Sequence, residues 1–351
     1  MEQGCLWPRV SVVVPVRDDA AGLRRCLEGL RAQSVELEII VVDDGSSDDS
    51  AAVAKEHGAR VLETEGRGAA AARNLGIRAA SGDVILFTDA DCIPHLHWAQ
   101  CLLAPLMSHP FIATKGTYVT RQGSATALFV QMEYEQRYAR MRRRQTIDFL
   151  DSYSLAVRRW ALYKIGGFDE VFRGVSVEDQ ELGYRLQPLG EFRFVEDAVV
   201  EHRHAATLWS YLKKKLRIGR GKATLLRRHL RRAGGDSHTP ATLRWQVPLA
   251  LAALPLSGIQ PWAACLCAAA PLVLSLPLVG SVLRRHGLAL LPMSVLLAAG
   301  RGWALALGFA WGMAFPSARL TGAPPASWPE AGCKPSEERV EEPRNVSPAA
   351  P

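Results

Sequence analysis

The sequence predicts an α/β domain with a Rossmann-like, mostly parallel sheet and helices on both faces, joined to C-terminal membrane helices. Three observations carry that prediction. Apolar β-branched runs alternate with helix-period segments over residues 9–91, which is the signature of parallel strands joined by crossover helices. Carboxylates stand where those runs stop, at Asp43, Asp44, Asp89 and Asp91. No Asp, Glu, Lys or Arg occurs from Trp245 to Leu283, longer than the roughly 20 residues one membrane span needs.

The elements follow in order. "RVSVVVPV" (9–16) reads as a buried strand ended by Pro15, and apolar residues at 23, 26, 27 and 30 keep helical spacing. "LEIIVVDDGSSDDS" reads as a second strand, a Gly-containing turn and Ser/Asp caps for a helix through about 57. "ARVLET" gives a short third strand, "GAAAARNLGIRAASG" a helix closed by glycine, and "DVILFTDAD" a fourth strand. "ATALFVQMEYEQRYARMRRRQ" predicts a long helix with a basic end, and "EFRFVEDAVVEH" a returning strand pair. Ligands of such sheets sit beyond the C-terminal strand ends, where Pro15 and the four carboxylates fall.

Asp89 and Asp91 are two apart, so an extended backbone would turn both toward one point. Burying carboxylates without partners is costly, and two hard oxygen ligands with room for water and phosphate suit Mg2+ or Mn2+. His202, at the end of a strand, is a further candidate for the metal shell, and His204 a weaker one. Neither a GxxxxGK phosphate loop nor a dinucleotide GxGxxG follows the first strand, which reads "PVRDDAAG".

The net charge of +7 has one main address: residues 202–235 hold eleven Lys/Arg and no acid, immediately before the apolar run. That order favours a membrane-surface role. Aromatic residues for base stacking are sparse there, so nucleic acid is not an expected partner. "SGIQP" (257–261) makes a turn in a helical hairpin over about 245–283. Residues 288–315 make a membrane-lying or third helix, because Arg301 at bilayer depth is expensive. Seven cysteines without metal-ligand spacing read as reduced thiols on the cytosolic side.

In series, "VSVVVPVRD", "EIIVVDDGSSDDS", "AARNLGIRAASGDVILFTDAD", "GGFDE" and "VEDQELGYRL" resemble glycosyltransferase family 2, over roughly residues 9–225. The resemblance implies the A-type nucleotide-diphospho-sugar transferase fold. It also implies inverting, divalent-metal-dependent glycosyl transfer to a hydroxyl acceptor. On that basis Pro15, Val16 and Arg17 would lie along base and ribose, and Asp44 would accept from the base. Arg67 or Arg73 would approach the nucleotide, with a surface helix residue as the alternative for Arg73; Asp89 would touch ribose or metal, and Asp91 would hold the metal at the diphosphate. Asp179 would be the catalytic base, with Glu178 beside it orienting a loop or the acceptor. Family habit favours a UDP-sugar donor. The QxxRW motif of processive synthases is missing; "LRIGRG" stands there, with Arg217 and Arg220 as candidate diphosphate contacts.

The expected organisation is a cytosolic catalytic domain (1–235), a membrane region (236–316) and a disordered tail (317–351), at the inner (plasma) membrane with the catalytic side cytoplasmic. The acceptor would be a membrane-proximal or lipid-linked glycan. Two alternatives stand beside this reading. A sugar nucleotidyltransferase would need a Gly-rich basic loop after the first strand, and a membrane-tethered scaffold using the 202–235 patch would make the acids expendable.

Overall fold

A computed structural model describes residues 7–172, 177–230, 237, 239–316 and 325–329. The first half alternates as the apolar pattern requires: β1 (Val10–Val16), α1 (Ala20–Arg31), β2 (Glu38–Asp43), α2 (Ser50–Glu56), β3 (Arg60–Glu63), α3 (Ala69–Ala79) and β4 (Val84–Phe87). Asp19 starts α1 by accepting from the Gly22 amide, so one orphan donor of the first turn is satisfied. β5 (Cys92–Pro94), α4 (Trp98–Ser108), β6 (Ala113–Val119), α5 (Ala125–Arg142), β7 (Leu155–Arg158), α6 (Arg159–Ile165), α7 (Glu178–Leu186) and β8 (Phe192–His202) complete the domain.

The eight strands form one mixed sheet in the order β3-β2-β1-β4-β7-β6-β8-β5. Strands β3, β2, β1 and β4 run parallel, and β7 then pairs antiparallel with β4. Side chains of β1 alternate between two cores: Val12 and Val14 join Leu23, Leu27 and Leu102 on one face, while Val13 joins Ile40, Ile77 and Phe87 on the other. That period of two is what a strand covered on both faces needs.

Two local expectations fail. Residues 192–202 form the single strand β8, because both of its edges are taken, by β6 and by β5. The fourth strand ends at Phe87, and a turn closed by the Cys92 amide on the Asp89 carbonyl at 3.0 Å separates Asp89 from Asp91. Asp89 pairs with Arg73 and Asp91 faces His202.

After β8 the chain forms α8 (Leu208–Arg228), α9 (Ala241–Ser257), α10 (Pro261–Val273), α11 (Leu276–His286) and α12 (Leu291–Ala314). α9 and α10 make the hairpin, turning where "SGIQP" was expected to turn. Pro261–His286 and Leu288–Ala314 are each long and apolar enough to cross a membrane. α12 is a single unbroken helix over the stretch expected to make a membrane-lying or third helix. It lies against α8, and the approach is close: a Cβ on Gly308 would come within 2.0 Å of the Leu216 carbonyl oxygen, and one on Gly312 within 2.7 Å of that of Arg220. Arg301, the residue that argued against bilayer depth, is buried and ion-paired. Its Nη1 donates to Glu133 Oε1 at 2.6 Å, and Lys215 Nζ donates to Glu133 Oε2 at 2.9 Å. Most of the expected disordered tail lies outside the described residues. Within it, residues 325–329 are described, and Trp328 rests edge-on against Tyr163.

Candidate active site

A cavity of about 590 Å3 opens beside the ends of β4 and β8. Six expected residues line it: Arg73 from α3, Asp89 from the turn after β4, Glu178 and Asp179 from the start of α7, His202 from the end of β8, and the weaker candidate His204 just after it. Arg73 is buried where a surface helix residue was an alternative reading. Its guanidinium donates to Asp89 Oδ1 at 2.7 Å, approaches Glu178 Oε1 at 3.5 Å, and lies 4.0 Å from Asp179 Oδ1. It also sits 5.4 Å over the Phe168 ring. That ring is fixed because the consecutive glycines Gly166 and Gly167 take left-handed φ values of 71° and 67°. Asn74 then clamps Phe168, accepting from its amide at 2.7 Å and donating to its carbonyl at 2.8 Å.

Glu178 and Asp179 begin a helix, where acids suit the macrodipole, yet their environment is more demanding than a cap. Burial and the adjacent Asp179 push the Glu178 carboxyl up to about 8, against the pull of Arg73. Burial raises Asp179 to about 6, again opposed by Arg73. Asp179 Oδ2 accepts from the Ser152 amide at 3.1 Å. Its Oδ1 is buried with no hydrogen-bond partner, as is Glu178 Oε2. Buried polar atoms left unsatisfied are uncommon and point to a missing ligand group.

Asp91 and His202 face each other, with Oδ2 and Nδ1 3.8 Å apart. That is too long for a hydrogen bond, and Nδ1 is otherwise without a partner. Burial holds the His202 imidazole below its ordinary range despite Asp91, so it is neutral and ligand-competent at physiological pH. An oxygen and a neutral nitrogen donor at this spacing fit a divalent cation. Cys92 Sγ belongs to the same cluster, but burial and the neighbouring carboxylates push its thiol well up, and a protonated thiol is a poor ligand. Asp89 spends one oxygen on Arg73, so it stands at the edge of this pair.

Pro15, Val16, Arg17, Asp43, Asp44 and Arg67 do not line the cavity. Asp44 is buried with three acceptor positions engaged: Thr64 Oγ1, the Arg67 amide at 2.7 Å and the Gly68 amide at 2.8 Å. In this state it organises the loop entering α3, where a bond to the base was expected. Asp43 accepts from the Ser46 amide and shapes the turn. Val16 is buried in the sheet, while Pro15 is half-buried and Arg17 exposed. Arg67 is exposed and pairs with Glu170 at 2.7 Å. His204 is structural, bonded to Gln131 Oε1 at 2.9 Å and stacked on Tyr134.

Arg217 and Arg220 do not line the cavity. Arg220 turns to the Trp311 ring of α12, 5.8 Å away, because the face of α8 toward the cavity carries Lys214, Lys215, Ile218 and Lys222. Sequence reasoning missed Lys214, Lys222 and Asp151. Asp151 had a signal: Lys115 stands inside the apolar strand β6, and a fully buried lysine needs an acid. It finds Asp151 Oδ2 at 3.0 Å.

With this geometry in view, residues 11–172 match the model of glycosyl transferase family 2. These residues are a glycosyl transferase family 2 domain. Among curated proteins, this chain is 34% identical over 234 residues to the pre-mycofactocin glycosyltransferase of Mycobacterium tuberculosis, covering 63% of this chain and 48% of that one. It is 27% identical over 235 residues to the glycosyltransferase AglE of Haloferax volcanii, covering 61% and 73%. It thus spans about half the length of the mycobacterial relative. Among solved structures, a Pyrobaculum calidifontis mannosyltransferase in complex with GDP-mannose and Mn2+ shares the fold, with a TM-score of 0.56, 21% identity and 88% of each chain covered.

Proposed function

We propose that this chain transfers a glycosyl group, with inversion, from a nucleotide-diphospho-sugar to a hydroxyl acceptor at a membrane surface, with a divalent cation bound at Asp91 and His202. The observation that carries the reading is that one cavity is lined by both Asp179, whose Oδ1 is unpartnered, and His202, whose Nδ1 faces Asp91 at 3.8 Å. Asp179 is the general base. At about 6 its carboxyl is ionised at neutral pH yet basic enough to take a proton from an attacking hydroxyl. Glu178, higher at about 8, keeps its proton and donates to acceptor or donor oxygens. Arg73 holds Asp89 toward the ribose and offsets the carboxylate charge between the two halves of the site. Lys214 replaces Arg217 and Arg220 as the cation of α8 facing the diphosphate. Bound Mg2+ or Mn2+ would supply Lewis-acid stabilisation of the departing diphosphate.

The membrane half of the proposal rests on the two apolar helices and on large apolar side chains exposed on α9, α10 and α12, among them Leu254, Trp262, Leu266 and Trp311. Patches of that kind mark membrane or partner contact. The basic stretch beside them supports a cytoplasmic catalytic side.

The first test is a panel of nucleotide-sugars, UDP-sugars leading, assayed by thermal shift and donor hydrolysis with Mn2+, Mg2+ or chelator. A metal-dependent stabilisation by one donor, lost in Asp91→Asn, is expected. A folded chain that no donor stabilises in the presence of metal would return the scaffold reading.

A further inference from the structure

The last helices are apolar enough for a bilayer, yet their packing on the catalytic domain opposes a crossing. α12 runs alongside α8. A Cβ on Gly300 would come within 2.8 Å of the Leu212 side chain, and the close approach continues through Gly308 at Leu216 to Gly312 at Arg220. Between Leu212 and Ala223, α8 holds six Lys/Arg, of which Lys214, Lys215 and Lys222 line the catalytic cavity. A span through α12 would take these cations to bilayer depth, where each is costly. The other apolar stretch, Pro261–His286, is divided at Ser275 into α10 and α11, of 13 and 11 residues. At the helical rise these are about 20 Å and about 17 Å long, against a hydrocarbon core of about 30 Å. α11 is also fastened to α5 of the catalytic domain: Arg285 pairs with Glu135, and Gln136 Nε2 donates to Ser281 Oγ at 3.2 Å.

That leaves the hairpin of α9 and α10. Its base is set at Gly302 of α12, where a Cβ would come within 2.4 Å of Pro271 and 3.1 Å of Gln246 Oε1. From Gln246 to the turn at Gly258, α9 rises about 18 Å, enough to reach the middle of the hydrocarbon core, about 15 Å deep, and too little to cross it. Around that turn Leu254, Ile259, Trp262 and Leu266 are 65–75% exposed. On α8, Trp209, Lys213, Arg217 and Arg220 are exposed at helical spacing and so share one face. Arg220 lies 5.8 Å over the ring of Trp311, an exposed residue of α12.

We propose that these helices bind monotopically, to a single leaflet of an anionic bilayer. The hairpin tip enters the hydrocarbon of that leaflet and returns, and neither apolar stretch crosses. Trp209, Lys213 and Arg217 of α8 meet the acidic headgroups, where aromatic and cationic side chains are favoured. The proposal rests on the membrane reading above. Val247 and Leu251 of α9 line the catalytic cavity, so the site adjoins the point where the hairpin enters lipid.

The test inserts the full chain into sealed vesicles containing phosphatidylglycerol, with single cysteines as reporters and Cys5, Cys101, Cys265, Cys267 and Cys333 changed to serine. Gly123→Cys marks the catalytic side, Gly258→Cys the hairpin tip and Leu288→Cys the turn before α12. An added Cβ meets nothing within 4 Å at Gly123 or Gly258, and Leu288 is 76% exposed. Circular dichroism establishes that each variant folds. A membrane-impermeant maleimide should label Leu288→Cys from the same side as Gly123→Cys, and Gly258→Cys from neither side. A fluorophore attached to Gly258→Cys before insertion should be quenched by lipids spin-labelled in mid-chain. Far-side labelling of Gly258→Cys would make the hairpin a span, and far-side labelling of Leu288→Cys would make Pro261–His286 and α12 spans; either overturns the proposal. Labelling of Gly258→Cys from the catalytic side would take the hairpin out of lipid and overturn it equally. Capture by vesicles should be at least about fivefold faster with phosphatidylglycerol than without, and the combined Lys213→Gln, Arg217→Gln chain should lose that gain. Equal capture by both vesicles would overturn the headgroup contact. Flotation separates the two readings: a chain that floats with neither vesicle sinks the membrane reading beneath, whereas a floating chain with a far-side cysteine sinks this proposal alone.

Discussion

Arg73 Nη2 donates to Asp89 Oδ1 at 2.7 Å, while its Nη1 faces Glu178 at 3.5 Å and Asp179 at 4.0 Å. A buried guanidinium thus joins the carboxylate after β4 to the acid pair of α7, elements that are remote in sequence. Removing one partner of a buried charge network leaves the others uncompensated, at about 3–5 kcal/mol. Arg73→Ala should therefore lower the denaturation midpoint strongly and abolish transfer. Arg73→Lys, which keeps the charge and loses the fork, should recover stability more than rate. Chemical denaturation with donor-turnover assays checks both, and an Arg73→Ala chain as stable as wild type would remove the network from the account.

Glu178 and Asp179 give a pH dependence with a definite sign. Both carboxyls are raised above their ordinary range, to about 8 and about 6, burial being the main cause. The folded state then holds protons that the unfolded chain has released. The stability they contribute is full below about pH 4 and is lost as pH rises through about 6 and then about 8. The ligand-free chain should lose a few degrees of melting temperature between pH 5 and 8.5 from this pair, and Glu178→Gln should flatten the upper part of that slope. Turnover should move oppositely, rising with pH through about 6 as Asp179 ionises. A rate profile flat across that range would assign the base elsewhere.

The Asp91–His202 pair makes a prediction about which neighbour does not bind metal. Asp91→Asn and His202→Ala should each weaken Mn2+ binding by at least about tenfold. Cys92→Ser should leave it within about twofold, because that thiol stays protonated in its buried site. Titration of Mn2+ followed by electron paramagnetic resonance reads the three variants directly. A large loss in Cys92→Ser would place sulfur in the shell.

How far the sequence reaches can be judged on these same residues. Apolar periodicity located β1, β2, β3, β4, α1, α3 and α5, because each needs a pattern that only one secondary structure can bury. Asp91, Asp179 and His202 were legible as candidates at element ends. Arg73 was only one of two candidates, since burial of a helix arginine depends on partners that are remote in sequence. Arg217 and Arg220 failed for a rotational reason. Helix α8 is basic on several faces, and only the docking of α12 on Gly219 and Arg220 decides which face meets the cavity. The three loop groups that bond Asp44 were not legible, because loop closure leaves little periodic trace.

Glu133 is the acid that holds α12 to the catalytic domain, accepting from Arg301 and from Lys215. These cations hold its carboxyl far below the usual range against the cost of burial. Glu133→Gln should cost about 3–5 kcal/mol, since two buried cations lose their counter-charge. The combined Glu133→Leu, Arg301→Met, Lys215→Met chain should recover part of that loss, because an apolar replacement leaves no charge stranded. Equilibrium unfolding in detergent measures both; a triple variant weaker than Glu133→Gln would mean that the network contributes net stability.

Trp328 ties a segment beyond α12 to the far wall of the active site. Its amide donates to the Tyr163 carbonyl at 2.9 Å, and the Arg78 guanidinium lies 5.0 Å over its ring. The ring closes on Gly167 so tightly that a Cβ there would come within 2.5 Å of it. Gly167 leads into Phe168, which supports Arg73 from beneath. Trp328→Ala therefore removes packing from the back of that support, at about 1–3 kcal/mol for a partly buried indole. The melting temperature should fall by a few degrees, and kcat several-fold as Arg73 loses its fixed position. The donor KM should stay within about twofold, because Trp328 touches no candidate donor residue. Phenylalanine at 328 should restore most of both quantities. A Trp328→Ala chain with wild-type melting and turnover would mean that the segment does not bear on the site.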